Sequence, residues 1–481
     1  MKIAGIYPQK NLSLDPKIQH AVSEPYGLEM ILAVASQQGH DVELFVPLKC
    51  HQERIVPITE EEMIERITEY KPDIAGFSMY TCQYPMGKRI AAELKKRLPG
   101  TMTIAGNRYP SYLCEKIEDP FDFFVVKEGE ETFREFLREI ENEKKYRDIK
   151  GLVIRENHRG FYTGNRQRNL HLDFLPNAMR FPVILNQVYR GISLPPMSED
   201  PNYAIVEYSR CCYNTCKFCD STGFWGNNVV FRSPQRVVEE MFELKEKGVD
   251  TFYFMDLNFT ADRQKTAELC KEMIDQSLGA HWYCMSNTAT LDSRSGQELM
   301  ELMKKAGCYK IAWGVESTND NSLEIMGKRV DNEFTTTEQT VRVLQNALDT
   351  GIINQGYYII GFPWETEETI IRDAGKLKYI PIHIFNVGIF TPIPLSRFYK
   401  EMLEKGYKLD PDLENHDRNT LVYNHPSLDN EKIKALQADM HHNFYTSPEY
   451  LERVQTSCRI DSRFKSAFND YFEFLGNGPK M

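Results

Sequence analysis

Twice along this chain, short apolar runs alternate with amphipathic helical patterns, and that alternation constrains the fold more than any other feature. In the first 145 residues, strand-like runs at 2–7, 41–46, 73–79, 102–105 and 123–126 are separated by helical spacing over 25–39, from 59, over 86–98 and over 132–143. The first helical pattern ends at Gly39, a usual stop. The second opens on Thr59 with three glutamates behind it, a side-chain cap followed by an acidic first turn. Strands and helices joined by short loops predict a parallel, doubly wound sheet. Ligands of such sheets sit beyond the carboxyl ends of the strands, here residues 7–8, 78–81, 106–108 and 128–130.

A second series starts at Tyr203. Strands are expected at 204–208, 251–255, 282–285, 310–313, 353–360 and 383–390. Helices are expected from Ser233, which has Pro234 behind it at the first helical position, and over 266–278, 295–306, 335–350 and 369–377. Six β/α units predict an open partial (β/α)6 barrel with its chemistry at the carboxyl ends of the strands. Residues 146–200 read as a connector with a small hairpin at 151–156 and 160–163, and 193–201 is loop-rich. The barrel is expected over 201–395. Residues 396–481 are a mixed, mainly helical region, with a helical pattern over 428–445 that carries His441 and His442, and an aromatic segment over 464–475. Core packing or a lid is the expectation for both.

Into the second series, right after its first strand, falls Tyr208-Ser-Arg-Cys-Cys-Tyr-Asn-Thr-Cys-Lys-Phe-Cys-Asp. Cys212, Cys216 and Cys219 have C-x3-C-x2-C spacing. Three thiolates on a compact loop can grip three corners of a [4Fe–4S] cube, which usually takes four cysteines, leaving one iron open. Zinc loops usually pair two C-x2-C half-sites, and no second half-site follows. Composition agrees with a cytoplasmic enzyme. The 11 cysteines are mostly scattered singly and odd in number, which suits free thiols or metal ligands better than a disulfide framework. A net charge of −11 argues against nucleic acid as the main partner and for a small-molecule substrate. No apolar run is long enough for a membrane span, and the first residues read as a strand, not a signal peptide.

The cysteine loop, with Phe218 just before its last cysteine, resembles the radical S-adenosylmethionine (SAM) superfamily, over residues 203–395. Residues 1–145 are similar to the Rossmann-like cobalamin (B12)-binding domain that precedes this barrel in one branch, which includes the class B radical methylases. Pro25-Tyr-Gly-Leu, Pro72-Asp-Ile-Ala-Gly-Phe-Ser, Ile104-Ala-Gly and Val126-Lys-Glu-Gly-Glu-Glu-Thr-Phe carry that likeness in order. The resemblance implies a [4Fe–4S] cluster on Cys212, Cys216 and Cys219 whose open iron binds the amino and carboxylate groups of SAM. An electron, from a donor such as flavodoxin or ferredoxin, would then cleave the sulfonium to methionine and a 5′-deoxyadenosyl radical that abstracts hydrogen.

By the same resemblance Glu316 is the ribose acceptor, and Ser286 and Asn287 are candidates for ribose or methionine contacts. Asp256 and Asn258 stand where relatives carry a Gly-Gly-Glu motif for the methionine ammonium. Phe218 and the segment containing Ile359 and Gly361 flank adenine, and Tyr208 and Arg210 are placed near substrate or cluster. Cys211, where relatives often have glycine, is read as a neighbouring thiol rather than a ligand. Ser78, Tyr80, Thr81, Gly106, Asn107, Glu128 and Gly129 are the candidates for cobalamin. The sequence departs from the branch in two ways. It lacks Asp-x-His-x-x-Gly, and Gly106 is followed by Asn107-Arg108-Tyr109 where relatives have a second glycine. The expected function is a cobalamin-dependent methyltransferase acting on carbon. The crowded 107–109 loop supports an alternative, a radical enzyme with an empty N-terminal domain. A purely electron-transferring iron–sulfur protein is the reading from another class.

Overall fold

The structure, a computed structural model, describes residues 1–9, 24–51, 54–157, 159–185, 203–330, 333–462, 464–465 and 468–469. It divides into two compact units, 1–187 with 411–416 and 188–410 with 417–481.

The first unit is built on seven strands: β1 (Lys2–Ile6), β2 (Asp41–Phe45), β3 (Ile74–Ser78), β4 (Met102–Gly106), β5 (Phe123–Val125), β6 (Leu152–Glu156) and β7 (Arg159–Tyr162), in the order β2-β1-β3-β4-β5-β6-β7. The first five are parallel. Side chains alternate along them: Ala4, Ile6, Ala75, Phe77, Ala105 and Phe124 join the core with Met63, Ile67, Ile90 and Leu94. Ile3, Ile74, Ile104 and Phe123 face Leu28, Leu32, Phe133 and Phe136 on the other side. Helices therefore cover both faces, as a doubly wound sheet requires. The hairpin expected in the connector is part of this sheet, because β6 pairs antiparallel with β5. Among the elements not legible in the sequence are a hairpin of Leu48–His51 with Arg54–Pro57 and short helices Arg108–Leu113 and Pro182–Leu185.

The second unit carries six parallel strands in chain order: β8 (Tyr203–Val206), β9 (Thr251–Phe254), β10 (His281–Ser286), β11 (Cys308–Glu316), β12 (Ile353–Ile360) and β13 (Ile384–Ile389). Crossover helices Pro234–Glu246, Arg263–Asp275, Arg294–Lys305, Thr337–Asp349 and Glu367–Ala374 begin at the caps the sequence supplies. Ser233 accepts from Arg236 N, and Thr336 accepts from Gln339 N. The sheet face toward these helices is dry, with Phe252, Phe254, Trp282 and Trp313 fully buried.

An open barrel leaves β13 as an edge with unpaired backbone groups. Side chains of the C-terminal region satisfy it. Tyr445 Oη, on helix Asn430–Tyr445, takes Phe385 N at 2.8 Å; Gln437 Nε2 donates to Val387 O at 2.7 Å; Tyr450 Oη, on helix Pro448–Ile460, donates to His383 O at 3.0 Å. His441 packs against Phe385 and Tyr445. Of the aromatic segment, only Phe464, Lys465, Phe468 and Asn469 are described; Phe464 and Phe468 are buried. The loop-rich 193–201 lies outside the described residues. Among the described residues no helix is long and apolar enough to cross a membrane.

His383 ties this edge to the last helix. Its buried Nδ1 accepts from Asn354 N at 2.9 Å, and its Nε2 lies 2.7 Å from Ser457 Oγ. Burial first, and the Arg453 guanidinium second, push its pKa down to about 3. The fold thus holds His383 neutral, so its contribution is complete above the unfolded value of about 6.5 and is lost as pH falls below it. Between pH 6.5 and 5 the loss is about 2 kcal/mol. Melting temperature should fall over that range, and His383→Gln should flatten the slope; an unchanged slope would exclude this histidine as its source.

Candidate active site

The cysteine loop leaves β8 and is closed at its base by an antiparallel pair, Ser209–Arg210 with Val230–Phe231. Two further backbone bonds pin it: Lys217 N donates to Met326 O and Phe398 N to Lys217 O, both at 2.8 Å. Behind it the short helix Ser221–Trp225 lies so close to Leu395 that a Cβ on Gly223 would stand 2.4 Å from the Leu395 carbonyl oxygen. Only glycine allows that approach.

Cys212, Cys216 and Cys219 are half-buried, while Cys211 is fully buried. Burial pushes the Cys212 and Cys216 thiols up to about 12, with the Lys328 ammonium opposing the rise. Thiols in such surroundings ionise when a metal takes the place of the proton. Cys219 Sγ accepts from Ser221 N at 3.4 Å, the kind of N–H···S bond that tunes cluster sulfurs. Among the described residues no three Cys, His, Asp or Glu side chains surround a single-ion position. Thiolates that grip separate corners of a cube need no such convergence. Cys211 turns away, its Sγ 3.2 Å from Gly226 O, and its φ of 89° explains why glycine suits this position.

Around the loop the strand ends bring several expected residues together, in roles the spacing alone did not reveal. Asp256 is directed back onto the loop: one carboxylate oxygen accepts from Tyr208 N at 3.1 Å, the other from Ser209 Oγ. Burial raises its pKa to about 7 against those two bonds. Asp256 therefore clamps the entry to the cysteine loop. Asn258 Oδ1 accepts from Asn287 N at 3.1 Å and from Ser286 Oγ at 3.4 Å, while its buried Nδ2 has no partner. Ser286 also bonds Thr260 Oγ1, and Asn287 Oδ1 caps a short turn by accepting from Ala289 N. Tyr208 donates its hydroxyl to Lys265 O at 2.8 Å, and Arg210 Nε donates to Glu207 at 2.9 Å.

Glu316 sits at the end of β11 with φ 65° and a side chain 14% exposed, 3.5 Å from the buried Lys328 ammonium. Burial raises its pKa and Lys328 opposes the rise. Ile359 is half-buried on β12, and Phe218 meets Phe362 edge-on at 6.5 Å. Phe362 in turn stacks on Trp364 and Phe390, at 4.7 and 4.3 Å.

The bend at Gly361 (φ +85°) depends on residues that sequence reasoning missed. Glu365 accepts from Gly361 N and Phe362 N at 2.7 and 2.9 Å. Tyr423 Oη donates to Gly361 O, and His425 Nε2 lies 2.9 Å from Phe362 O. The only local signal was Gly361-Phe-Pro-Trp-Glu; Tyr423 and His425 come from 62 and 63 residues away.

In the first unit the candidates lie at the carboxyl edge of the sheet. Asn107 (φ 82°) donates Nδ2 to Ser78 Oγ at 3.0 Å and accepts from Arg108 N, starting helix Arg108–Leu113. That helix turns Tyr109 into the core, its ring 4.9 Å from Tyr84. The loop that looked crowded in sequence thus buries its largest ring. Thr81 opens a tight turn in which Tyr80 N donates to Gln83 Oε1, leaving the Tyr80 ring 44% exposed. Glu128 is bonded by Arg168 at 3.2 Å, and Gly129 precedes helix Glu130–Glu141. Ser78, Gly106 and Asn107 thus form a polar shelf on adjacent strand ends, the edge beyond which ligands of such sheets sit.

Residues 206–377 match the radical SAM superfamily model, and residues 20–137 match that of the B12 binding domain. An uncharacterized methyltransferase of Pyrococcus horikoshii is 24% identical over 455 residues, covering 94% of each chain. The anaerobic magnesium-protoporphyrin IX monomethyl ester cyclase of Rubrivivax gelatinosus is 25% identical, covering 87% of this chain and 76% of its own. The solved radical SAM methyltransferase TsrM of Kitasatospora setae, with cobalamin and a [4Fe–4S] cluster bound, has a TM-score of 0.67 at 16% identity, over 94% of this chain and 90% of that one. These likenesses, with Tyr109 packed away, do not favour the alternative of an N-terminal domain that has lost its cofactor. The chain is an enzyme of the radical SAM superfamily, in the branch that carries a B12-binding domain ahead of the barrel.

Proposed function

We propose that the protein methylates a carbon of a small molecule, using SAM, a [4Fe–4S] cluster and cobalamin. The observation that carries this reading is the pairing, in one chain, of the polar shelf at Ser78 and Asn107 with the three-thiol loop. When bound, the cluster with SAM supplies a 5′-deoxyadenosyl radical, and cobalamin supplies a methyl carrier.

Residues of the chain position these groups. Cys212, Cys216 and Cys219 hold three irons and leave the fourth for the amino and carboxylate groups of SAM. Asn258 offers its unpartnered Nδ2 as a donor to a ligand oxygen, and Asn287 and Ser286 hold it in place. Glu316 accepts from the ribose hydroxyls, kept in orientation by Lys328. Phe218 and Ile359 flank the adenine, with the bend at Gly361 set by Glu365 and Tyr423. A flavodoxin or ferredoxin fits as the electron source.

Produced anaerobically with added hydroxocobalamin, the protein should retain about one corrinoid per chain. With SAM and a reductant it should form S-adenosylhomocysteine in an amount matching that corrinoid, and 5′-deoxyadenosine besides. A protein that binds no corrinoid would overturn the reading. The likeness to the cyclase supports a second outcome, radical chemistry without methyl transfer. That outcome would show as bound corrinoid and 5′-deoxyadenosine with no S-adenosylhomocysteine.

A further inference from the structure

Lys310 is a cation that nothing above uses. It lies on β11, which pairs with β10 across an irregularity: Trp282 stands opposite Cys308, yet the next residue, Tyr283, stands opposite Lys310. Tyr309 is the extra residue of a β-bulge. Such bulges re-aim side chains. In plain register Lys310 would alternate onto the dry face with Cys284. The bulge brings it to the opposite face, with Tyr253 and Tyr283, whose rings stack 4.5 Å apart.

That opposite face is the lumen of the partial barrel, and it is the more open one. Along β10, Tyr283 and Met285 are half-buried while Trp282 and Cys284 are fully buried. Tyr357, on the lumen face of β12, is 39% exposed. The next lumen positions on the same strand are Ala312, which is buried, and Gly314, where a Cβ would stand 2.5 Å from Glu316 Oε1 and 3.1 Å from Lys328 Nζ, so Lys310 lies on the same strand face as the Glu316–Lys328 pair. Gln355 Nε2 bonds Asn386 Oδ1 at 2.8 Å and Tyr357 Oη at 3.3 Å, giving the lumen a polar wall.

Lys310 itself is 0% exposed, and its Nζ has no hydrogen-bond partner. The ammonium lies 4.0 Å from the centre of the Tyr283 ring. A cation–π contact offsets only part of the cost of burying a charge. Burial alone lowers the lysine to about 7. A methionine would fill this space without that cost, so the fold keeps here a donor that it does not itself satisfy. An anion from outside would satisfy it. A single ammonium beside tyrosine rings suits a monoanionic carboxylate, whereas a phosphate dianion is usually met by several cations or by backbone N–H groups.

We propose that Lys310 anchors a carboxylate of the substrate, with the Tyr253–Tyr283 stack as the wall for the adjoining part of the molecule. The proposal rests on the methylation reading only in placing the substrate within the barrel lumen.

The test uses the cluster-loaded holoenzyme with SAM, titrated calorimetrically with benzoate, with its neutral analogue benzamide and with inorganic phosphate. Benzoate should bind about tenfold more tightly than benzamide or better, and Lys310→Met, with its iron content retained, should erase the difference. No preference, or one that survives in Lys310→Met, overturns the proposal. Phosphate displacing benzoate at lower concentration overturns the carboxylate assignment. Should Lys310→Met lose its cluster, the wild-type protein decides: benzoate, but not benzamide, should shield Lys310 from acetic anhydride, read by peptide mass spectrometry, and equal labelling with both sinks the idea. A protein that passes these tests yet forms no S-adenosylhomocysteine would fail the methylation reading alone.

Discussion

Replacing Cys212, Cys216 or Cys219 with alanine should strip the cluster and lower 5′-deoxyadenosine formation by at least about a thousandfold. In the reading proposed above, each thiolate is the one protein bond to its own iron. Cys211 is next in the chain, but its thiol is directed at Gly226 O. Cys211→Gly is the matched control. Its φ of 89° lies where glycine is comfortable and cysteine is strained, so this variant should keep its full iron and sulfide content. Iron and sulfide analysis, with chromatography of the SAM products, reads both arms. A Cys216→Ala protein with undiminished iron, or a Cys211→Gly protein without it, would show that the ligands have been misassigned.

The second large effect is expected at Asp256. Alanine there strands Tyr208 N and Ser209 Oγ inside the protein, both of which now donate to the carboxylate. Leaving two buried donors unmet costs about 3 kcal/mol, and the loop entry they fix should lose its cluster. Asparagine keeps an acceptor in the same place, and burial already holds this carboxyl near half-protonation at neutral pH. Asp256→Asn should therefore retain iron and bind SAM within about threefold of wild type. Were Asp256 instead a direct contact of the methionine ammonium, Asp256→Asn would weaken SAM binding about tenfold or more with the cluster intact. Equilibrium unfolding together with SAM titration separates the two roles.

Much of this architecture was legible in the chain because it is set locally. Strands and helices are specified by residue periods of two and 3.6, and the caps at Thr59 and Ser233 act within three residues of themselves. The three thiols span only eight positions, so their spacing speaks to their chemistry directly. Candidates at strand ends were identified as a set, since the carboxyl edge of a parallel sheet follows from the alternation itself.

What each candidate does was less legible. Asp256 and Asn258 are two residues apart, yet one faces the loop base and the other the neighbouring strand end. Asn107-Arg108-Tyr109 looked like an obstruction because side-chain size is visible in sequence, whereas the helix that sends Tyr109 beside Tyr84 is not. The closing of the β13 edge by Tyr445, Gln437 and Tyr450 joins segments some 50 to 70 residues apart, and no local pattern announces such pairs.

By itself, then, the sequence determined the two β/α units, the three-thiol loop and the family, all consequences of short-range periodicity and spacing. Tertiary structure alone decided where the polar side chains point. One extra residue at Tyr309 moves Lys310 from the dry face into the lumen, because side chains on a strand alternate with a period of two and a single insertion reverses everything after it.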